Sequence, residues 1–146
     1  MIQQNMLSIY VRSMLKILIA EDERDILELI TFTLQYGGYE VIPTTNGVEA
    51  LKVIREELPH LVLLDVRMPG MSGYEVCKQI KSNHQTSHIP VVFLSAKGQE
   101  SEINTGYETG AIDYILKPFA PDYLLNRLNE LLTGHTSGED LELLEN

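Results

Sequence analysis

The sequence predicts an α/β domain with a doubly wound, five-stranded parallel sheet and helices on both faces. Short apolar runs and segments of helical periodicity alternate five times along the 146 residues, with connections of only a few residues. The apolar runs are nearly continuous, which is typical of strands that are buried on both faces. Right-handed crossovers between parallel strands then distribute the helices over both sides of the sheet.

The first part of this pattern consists of two strands and the helix between them. Lys16–Ala20 is a short apolar strand, and Tyr39–Thr44 is a second one. Pro43 favours an edge position for the second strand, because an edge tolerates a missing N–H. The helix between them ends at Gly37 and Gly38, and its inward face is predicted to consist of Ile26, Leu29, Ile30, Thr33 and Leu34.

A capping-box pattern, Asn46 followed by Glu49, opens the next helix, and Pro59 ends it. The predicted helix runs through the apolar residues Leu51, Ile54 and Leu58. The run Leu61–Leu64 follows as a strand buried on both faces, and it ends abruptly on Asp65.

The second half of the chain repeats the alternation. The predicted elements are a helix opened by Ser72, a strand over 89–95, a polar helix over 99–109, a strand over 111–116 and a helix from Pro121. The last helix carries an apolar stripe made of Leu124, Leu125, Leu128, Leu131 and Leu132.

Composition narrows the classes of function. The formal net charge of −10 argues against direct nucleic-acid binding and against binding to an anionic membrane surface, since both need clustered Lys and Arg. No apolar stretch is long enough to span a bilayer, and the N-terminal region is a poor signal peptide. The single cysteine, Cys77, is compatible with a reducing compartment, so we expect a cytoplasmic location.

Reactive side chains follow four of the five predicted strands. They are Glu21 and Asp22 after the first, Asp65 after the third, Ser95 at the end of the fourth and Lys117 after the fifth. The carboxyl ends of parallel strands meet at one edge of the sheet, and ligands bind there at a topological switch point. If the first and third strands are neighbours, the three carboxylates converge.

Such convergence requires positive charge. Two carboxylates about 4 Å apart repel by roughly 4 kcal/mol at an effective dielectric of 20. Lys117 supplies one charge, and carboxylate oxygens are the ligands that Mg²⁺ prefers. A pocket of this kind suits phosphoryl transfer, in which Asp65 attacks phosphorus and forms an acyl phosphate. Lys117 and Ser95 would then contact the phosphoryl oxygens.

The residues involved resemble a known family. The set Glu21-Asp22, Asp65-x-x-Met68-Pro69-Gly70, Ser95-Ala96 and Lys117-Pro118-Phe119 is similar to the receiver domain of two-component response regulators. The resemblance covers roughly residues 15–133, and any one of these motifs alone is weak. It implies the flavodoxin-like strand order 2-1-3-4-5.

The resemblance also implies a role for each residue. Asp65 is the phosphoacceptor, and Ser95 and Lys117 contact the phosphoryl group. Mg²⁺ is bound directly by Asp22 and Asp65, through water by Glu21, and by the backbone carbonyl of Arg67. The remaining implied positions are Tyr114, an aromatic switch that reports phosphorylation, and Arg67 and Lys97, two variable positions that tune the lifetime of the phosphoryl group.

The implied function is a phosphorylation switch. A histidine kinase, a phosphotransfer protein or a small phosphodonor would modify Asp65, and Tyr114 would then enter space vacated by Ser95. The face formed by the fourth helix, fifth strand and fifth helix would change and be read by a partner protein or an effector domain. We expect slow self-dephosphorylation and no substrate turnover, so the chain is not predicted to be an enzyme.

Two alternatives remain open from the residues. One is a pseudo-receiver, a binding module without phosphotransfer. The other is a phosphatase with an aspartyl nucleophile, although such enzymes carry a second acid two residues later, where this chain has Arg67. Individual residues also have plainer readings: Asp65 as a turn cap, Asp22 as a helix cap, Glu21 as a solvated charge and Tyr114 as packing.

We divide the chain into an N-terminal extension over 1–14, a receiver domain over 15–133 and an acidic tail or linker over 134–146. Either the chain is a stand-alone receiver that acts through protein contacts or it is an N-terminal piece of a larger regulator. The sequence does not decide between them.

Overall fold

A computed structural model describes residues 10–96 and 100–135, apart from the side chains of residues 100, 134 and 135. Five parallel strands form one sheet in the order β2-β1-β3-β4-β5, which confirms the predicted topology. The strands are β1 Lys16–Ala20, β2 Glu40–Thr44, β3 Leu61–Asp65, β4 Val91–Ala96 and β5 Asp113–Lys117. The helices are α1 Arg24–Tyr36, α2 Gly47–Glu57, α3 Gly73–Ser82, α4 Glu100–Thr109 and α5 Pro121–His135.

The sheet separates two apolar layers. Successive side chains of a strand point to opposite faces, so β1 sends Leu18 and Ala20 to one layer and Ile17 and Ile19 to the other. The first layer lies under α2 and α3, and the second lies under α1 and α5. Strands β1, β3 and β4 are therefore buried on both faces, as their continuous apolar runs predict.

Helix ends follow the predicted capping residues, with one exception. The Asn46 side chain accepts a hydrogen bond from the Glu49 N–H at 2.8 Å and opens α2. The same helix ends at Glu57, and Leu58 adopts a left-handed conformation with φ of 47°. The prediction that the helix includes Leu58 is wrong by one residue, because Leu58 precedes Pro59, which disfavours helical backbone there.

The inward face of α1 differs slightly from the predicted one. Ile30, Thr33 and Leu34 are buried as expected, whereas Leu29 is 43% exposed and Leu27 is buried in its place. A period of 3.6 residues admits either leucine on a face centred at Ile30, and packing against the sheet selects Leu27. Pro43 lies in β2, which is an edge strand as predicted.

The two predicted flanking segments lie largely outside the described residues. Of the N-terminal segment, a helical turn over 10–13 is described, and the Arg12 guanidinium donates a hydrogen bond to the Gly37 carbonyl at 3.2 Å. None of the helices in the described ranges combines the length and hydrophobicity that crossing a bilayer requires.

The strand order creates the switch point. From β1 the chain crosses to β2 on one side and then returns to place β3 on the other side. Ala20 is paired with Leu64, so the next residues of the two strands, Glu21 and Asp65, come side by side at the carboxyl edge. A crevice in this position is where an open α/β sheet binds its ligand.

Candidate functional site

Lys117 joins two buried carboxylates at the carboxyl edge of the sheet. Its Nζ lies 3.0 Å from Glu21 Oε2 and 3.2 Å from Asp65 Oδ1. Glu21 is fully buried and Asp65 is 5% exposed. The structure therefore brings these three predicted site residues together, and the reading of Glu21 as a solvated charge is wrong.

Asp22 completes what we call the acidic cluster: Glu21, Asp22 and Asp65. One oxygen from each carboxylate lies within 4.8 Å of the other two. Asp22 is exposed, and α1 begins at the N-cap residue Glu23 without any side-chain cap, so the reading of Asp22 as a helix cap is also wrong. Its carboxylate is left at the mouth of the crevice.

The acidic cluster fits a divalent cation. Among the described residues, Glu21 Oε2 is a buried side-chain oxygen without hydrogen-bond geometry, although Lys117 Nζ is near it. Buried polar atoms are rarely left without a partner. Three carboxylates face one lysine here, and carboxylate oxygens are suitable ligands for Mg²⁺.

Burial and mutual repulsion shape the electrostatics. Desolvation, followed by the charge of Asp65, raises the pKa of Glu21 to about 7. Desolvation also raises the pKa of Asp65, although Lys117 opposes this effect. Burial lowers the pKa of Lys117, but the two carboxylates outweigh it and leave that pKa raised. The cluster thus carries more negative charge than one lysine can offset.

The backbone around Asp65 is held tightly by the start of α3. The Gly73 N–H donates a hydrogen bond to the Val66 carbonyl at 3.0 Å. A Cβ on Gly73 would lie 2.2 Å from the Asp65 carbonyl oxygen, so only glycine fits there. Asp65 Oδ1 also accepts a long hydrogen bond of 3.4 Å from the Arg67 N–H, so the turn-cap reading of Asp65 holds in weak form beside its contact with Lys117.

Ser95 lies in β4 at the same edge, 1% exposed. Its hydroxyl donates a hydrogen bond to Glu102 Oε2 at 3.1 Å, a residue that the sequence did not single out. The other oxygen of this carboxylate, Oε1, lies 2.5 Å from Arg67 Nε. Lys97, the second lifetime position, lies outside the described residues.

Two tyrosines meet the main chain of Glu102. The hydroxyls of Tyr74 and Tyr114 both donate hydrogen bonds to the Glu102 carbonyl, the first at 2.7 Å. We call Arg67, Tyr74, Ser95, Glu102 and Tyr114 the Glu102 cluster. No local pattern in the sequence predicts it, because its members come from a loop, two strands and two helices.

Tyr114 is already in the interior. It is 8% exposed and packs against Phe93 and Tyr107, with ring centroids 5.5 Å apart in each case. Gly106 admits the ring, since a Cβ there would lie 2.0 Å from the Tyr114 hydroxyl oxygen. The expected inward movement of this ring on phosphorylation therefore has no counterpart in this arrangement, and its role as a switch stays a prediction.

Comparison with known proteins identifies the family. Residues 17–129 match the family model of the response regulator receiver domain. The phosphate regulon transcriptional regulatory protein PhoB of Pseudomonas aeruginosa is 43% identical over 123 residues, 84% of this chain and 54% of that protein. A probable transcriptional regulator, ycf27 of Pyropia yezoensis, is 44% identical over 80% of this chain and 47% of its own length. The chain thus spans about half the length of these relatives.

Solved structures agree with the family match. A putative response regulator from Chloroflexus aurantiacus superposes with a TM-score of 0.78 at 36% identity, over 81% of this chain and 97% of that one. The chemotaxis response regulator CheY4 of Vibrio cholerae superposes with a TM-score of 0.76 at 31% identity, over 80% and 98%. With the predicted topology confirmed and the acidic cluster at its switch point, the chain belongs to the family of response regulator receiver domains of two-component systems.

Proposed function

We propose that the chain is a phosphorylation switch in which Asp65 accepts a phosphoryl group from a histidine kinase, a phosphotransfer protein or a small phosphodonor. The observation that carries the proposal is the position of Lys117 Nζ, 3.2 Å from Asp65 Oδ1 and 3.0 Å from Glu21 Oε2. A lysine in this place fixes the nucleophile and leaves positive charge where phosphoryl oxygens would arrive.

The chain's own residues divide the work of the transfer. Lys117 and the Arg67 N–H both approach Asp65 Oδ1, so we infer that Oδ2 attacks. The Oδ2–P bond forms as the P–N bond of phosphohistidine or the P–O bond of acetyl phosphate breaks, and the leaving group keeps the electron pair. The departing imidazole then takes a proton from solvent, so charge and atoms balance.

A divalent cation is part of this proposal. Asp22 and Asp65 would hold Mg²⁺ directly, with Glu21 acting through water and the Arg67 carbonyl as a further ligand. Bound there, Mg²⁺ would neutralise charge that develops on the phosphoryl oxygens. The three carboxylates within 4.8 Å of one another support this assignment.

The proposed output surface is the face formed by α4, β5 and α5. A groove of about 530 Å³ opens there, and its lining includes the partly exposed side chains Tyr107, Leu116 and Tyr123. Tyr114 lines the groove and contacts Glu102, which in turn contacts Ser95. A change at Ser95 would therefore reach this surface through two contacts.

We infer that the chain carries a signal and does not turn over a substrate as an enzyme does. Arg67 stands two residues after the nucleophile, where an aspartyl phosphatase needs an acid. The relatives are named as transcriptional regulators, and this chain spans about half their length. We propose that its partner is an effector domain or a separate protein that reads the α4–β5–α5 face.

The test is modification by acetyl phosphate, followed by intact-protein mass spectrometry. We expect the mass to rise by one phosphoryl group when Mg²⁺ is present and not when EDTA replaces it. Asp65→Asn should abolish the modification, whereas Asp25→Asn, at an exposed acid in the first turn of α1, should leave it unchanged.

Equal modification of wild type and Asp65→Asn would overturn the proposal. A wild type that stays unmodified and binds no Mg²⁺ would favour the pseudo-receiver alternative. Steady hydrolysis of a phosphate ester would favour the phosphatase, whereas slow release of phosphate from acetyl phosphate is also expected of a switch that dephosphorylates itself.

A further inference from the structure

The Glu102 carboxylate accepts the one hydrogen bond that the Ser95 hydroxyl can donate. Its side chain is 12% exposed, and its Oε2 accepts the Ser95 hydroxyl hydrogen bond at 3.1 Å. A serine hydroxyl has one donor hydrogen. While this bond exists, Ser95 cannot also donate to a phosphoryl oxygen on Asp65, so the two acceptors compete.

The Glu102 carboxylate is itself held in place. Arg67 Nε lies 2.5 Å from Oε1, which fixes the side chain from the side of the β3–α3 loop. The main-chain carbonyl of Glu102 accepts the hydroxyls of Tyr74 and Tyr114. Glu102 therefore joins a residue at the phosphorylation site to two tyrosines that pack on Phe93 beneath α4.

We propose that Glu102 is a latch: its carboxylate holds Ser95 away from the phosphoryl position, and phosphorylation of Asp65 breaks this bond. The inference rests on the proposed function and assigns Glu102 as a positioning residue. A phosphoryl group carries more charge than a carboxylate and three strong acceptor oxygens, so it can take the Ser95 proton from Glu102. The first turn of α4 then loses its tie to β4.

The side chain and the main-chain carbonyl of Glu102 make different contacts and can be tested separately. Substitution of Glu102 by Ala or Gln removes the Ser95 acceptor or its charge, but the tyrosine hydrogen bonds reach the main-chain carbonyl and remain available. A side-chain variant thus opens the latch without removing the acceptor for Tyr74 and Tyr114. This property makes the latch testable apart from the packing of α4.

The experiment measures the affinity for beryllofluoride, a phosphoryl mimic, by calorimetry in the presence of Mg²⁺. Glu102→Ala should bind about tenfold more tightly than wild type, the effect expected when one charge-assisted hydrogen bond no longer competes. Glu102→Gln keeps an acceptor oxygen and should lie between the two. Glu108→Gln, an exposed site on the same helix, is the matched control and should bind as wild type does.

A second background distinguishes a latch from simple charge repulsion. In Ser95→Ala there is no hydroxyl to hold, so adding Glu102→Ala should change the affinity less than about twofold. If Glu102→Ala tightens binding equally in both backgrounds, the charge of Glu102 alone is responsible and the latch is refuted.

The remaining outcomes separate the latch from the proposed function. Unchanged or weaker binding by both Glu102 variants refutes the latch, while the proposed function stands if wild type binds and Asp65→Asn does not. No binding by wild type, or equal binding by Asp65→Asn, refutes both. Thermal unfolding of each variant, followed by circular dichroism, shows whether it is folded during the titration.

Discussion

Two carboxylate clusters lie at the same edge of the sheet and differ in how well they are satisfied. In the acidic cluster, Glu21 is fully buried, and its Oε2 lies near Lys117 without hydrogen-bond geometry. In the Glu102 cluster, both carboxylate oxygens and the main-chain carbonyl have partners. Added positive charge would stabilise the acidic cluster. The Glu102 cluster, in contrast, must break a hydrogen bond or ion pair before its side chains can rearrange.

Lys117→Met should have the largest effect, because it removes the cation shared by the buried carboxylates. At pH 8 without divalent ions, we expect the free energy of unfolding to fall by about 3–5 kcal/mol, since charges are left buried and unpaired. Urea denaturation measures the loss, which should shrink at pH 5 as carboxylates become protonated.

The matched control for Lys117 is Arg127→Met. Arg127 pairs with Asp113 and Glu130, and its side chain is 37% exposed. We expect a loss below about 1 kcal/mol because solvent screens this pair. Equal losses of unfolding free energy in Lys117→Met and Arg127→Met would show that the buried carboxylates depend on their cation no more than a surface ion pair does.

Glu21→Gln should change the pH dependence of stability. The pKa of Glu21 rises from 4.5 to about 7 in the fold, so the folded protein binds more protons than the unfolded chain within this window. The free energy of unfolding therefore falls as the pH rises from about 4.5 to 7, by at most about 3 kcal/mol from this residue. The variant should lack this decrease.

The measurement is a series of urea titrations between pH 4.5 and 8 without divalent ions, on wild type and Glu21→Gln. The same substitution at exposed Glu108 controls for the loss of one acidic group. Parallel curves for wild type and Glu21→Gln would contradict the raised pKa of Glu21, which burial and the charge of Asp65 cause.

Among the substitutions in or beside the two clusters, Gly106→Ala should have the smallest effect on stability, and it acts on the Glu102 cluster. A Cβ there would lie 2.0 Å from the Tyr114 hydroxyl oxygen, so the ring must leave its place. Overpacking costs about 1–3 kcal/mol and helix propensity returns about 1 kcal/mol, so we expect a net loss of about 1 kcal/mol. Thermal unfolding measures it, and the affinity for Mg²⁺ should not change.

The control for Gly106 is the same substitution in a Tyr114→Ala background. With the ring absent, Ala at 106 should stabilise the protein by about 1 kcal/mol through helix propensity alone. A destabilising effect in both backgrounds would mean that the ring is not what requires glycine at this position.

Local signals in the sequence predicted the alternating strands and helices, and the resemblance to receiver domains supplied the strand order on which the acidic cluster depends. Apolar runs identify the strands, Pro43 marks the edge, and parallel strands bring their carboxyl ends together wherever the strand order has a switch point. Given that strand order, Glu21, Asp65 and Lys117 are expected at one edge, and the structure brings them together there.

The parts that the sequence did not predict depend on contacts between distant segments. Glu102 lies on a polar helix with weak periodicity, and its partners Arg67 and Ser95 are 35 and 7 residues away. The inward ring of Tyr114 depends on the missing side chain at Gly106, on another element. Such pairs follow from how α4 packs on the sheet, which no single segment encodes.

The absence of a side chain at Gly73 bears on the direction in which the proposed signal would leave Asp65. On the α3 side, main chain packs on main chain so closely that no methyl group fits beside the Asp65 carbonyl. On the β4 side, the main chain of Asp65 is paired with Leu94 in the sheet, and the neighbouring Ser95 makes a side-chain hydrogen bond to Glu102 that can exchange partners. If Asp65 is the phosphoacceptor as proposed, we expect a change at its side chain to be passed on through the Ser95–Glu102 hydrogen bond toward α4 and β5, and not through the close main-chain packing toward α3.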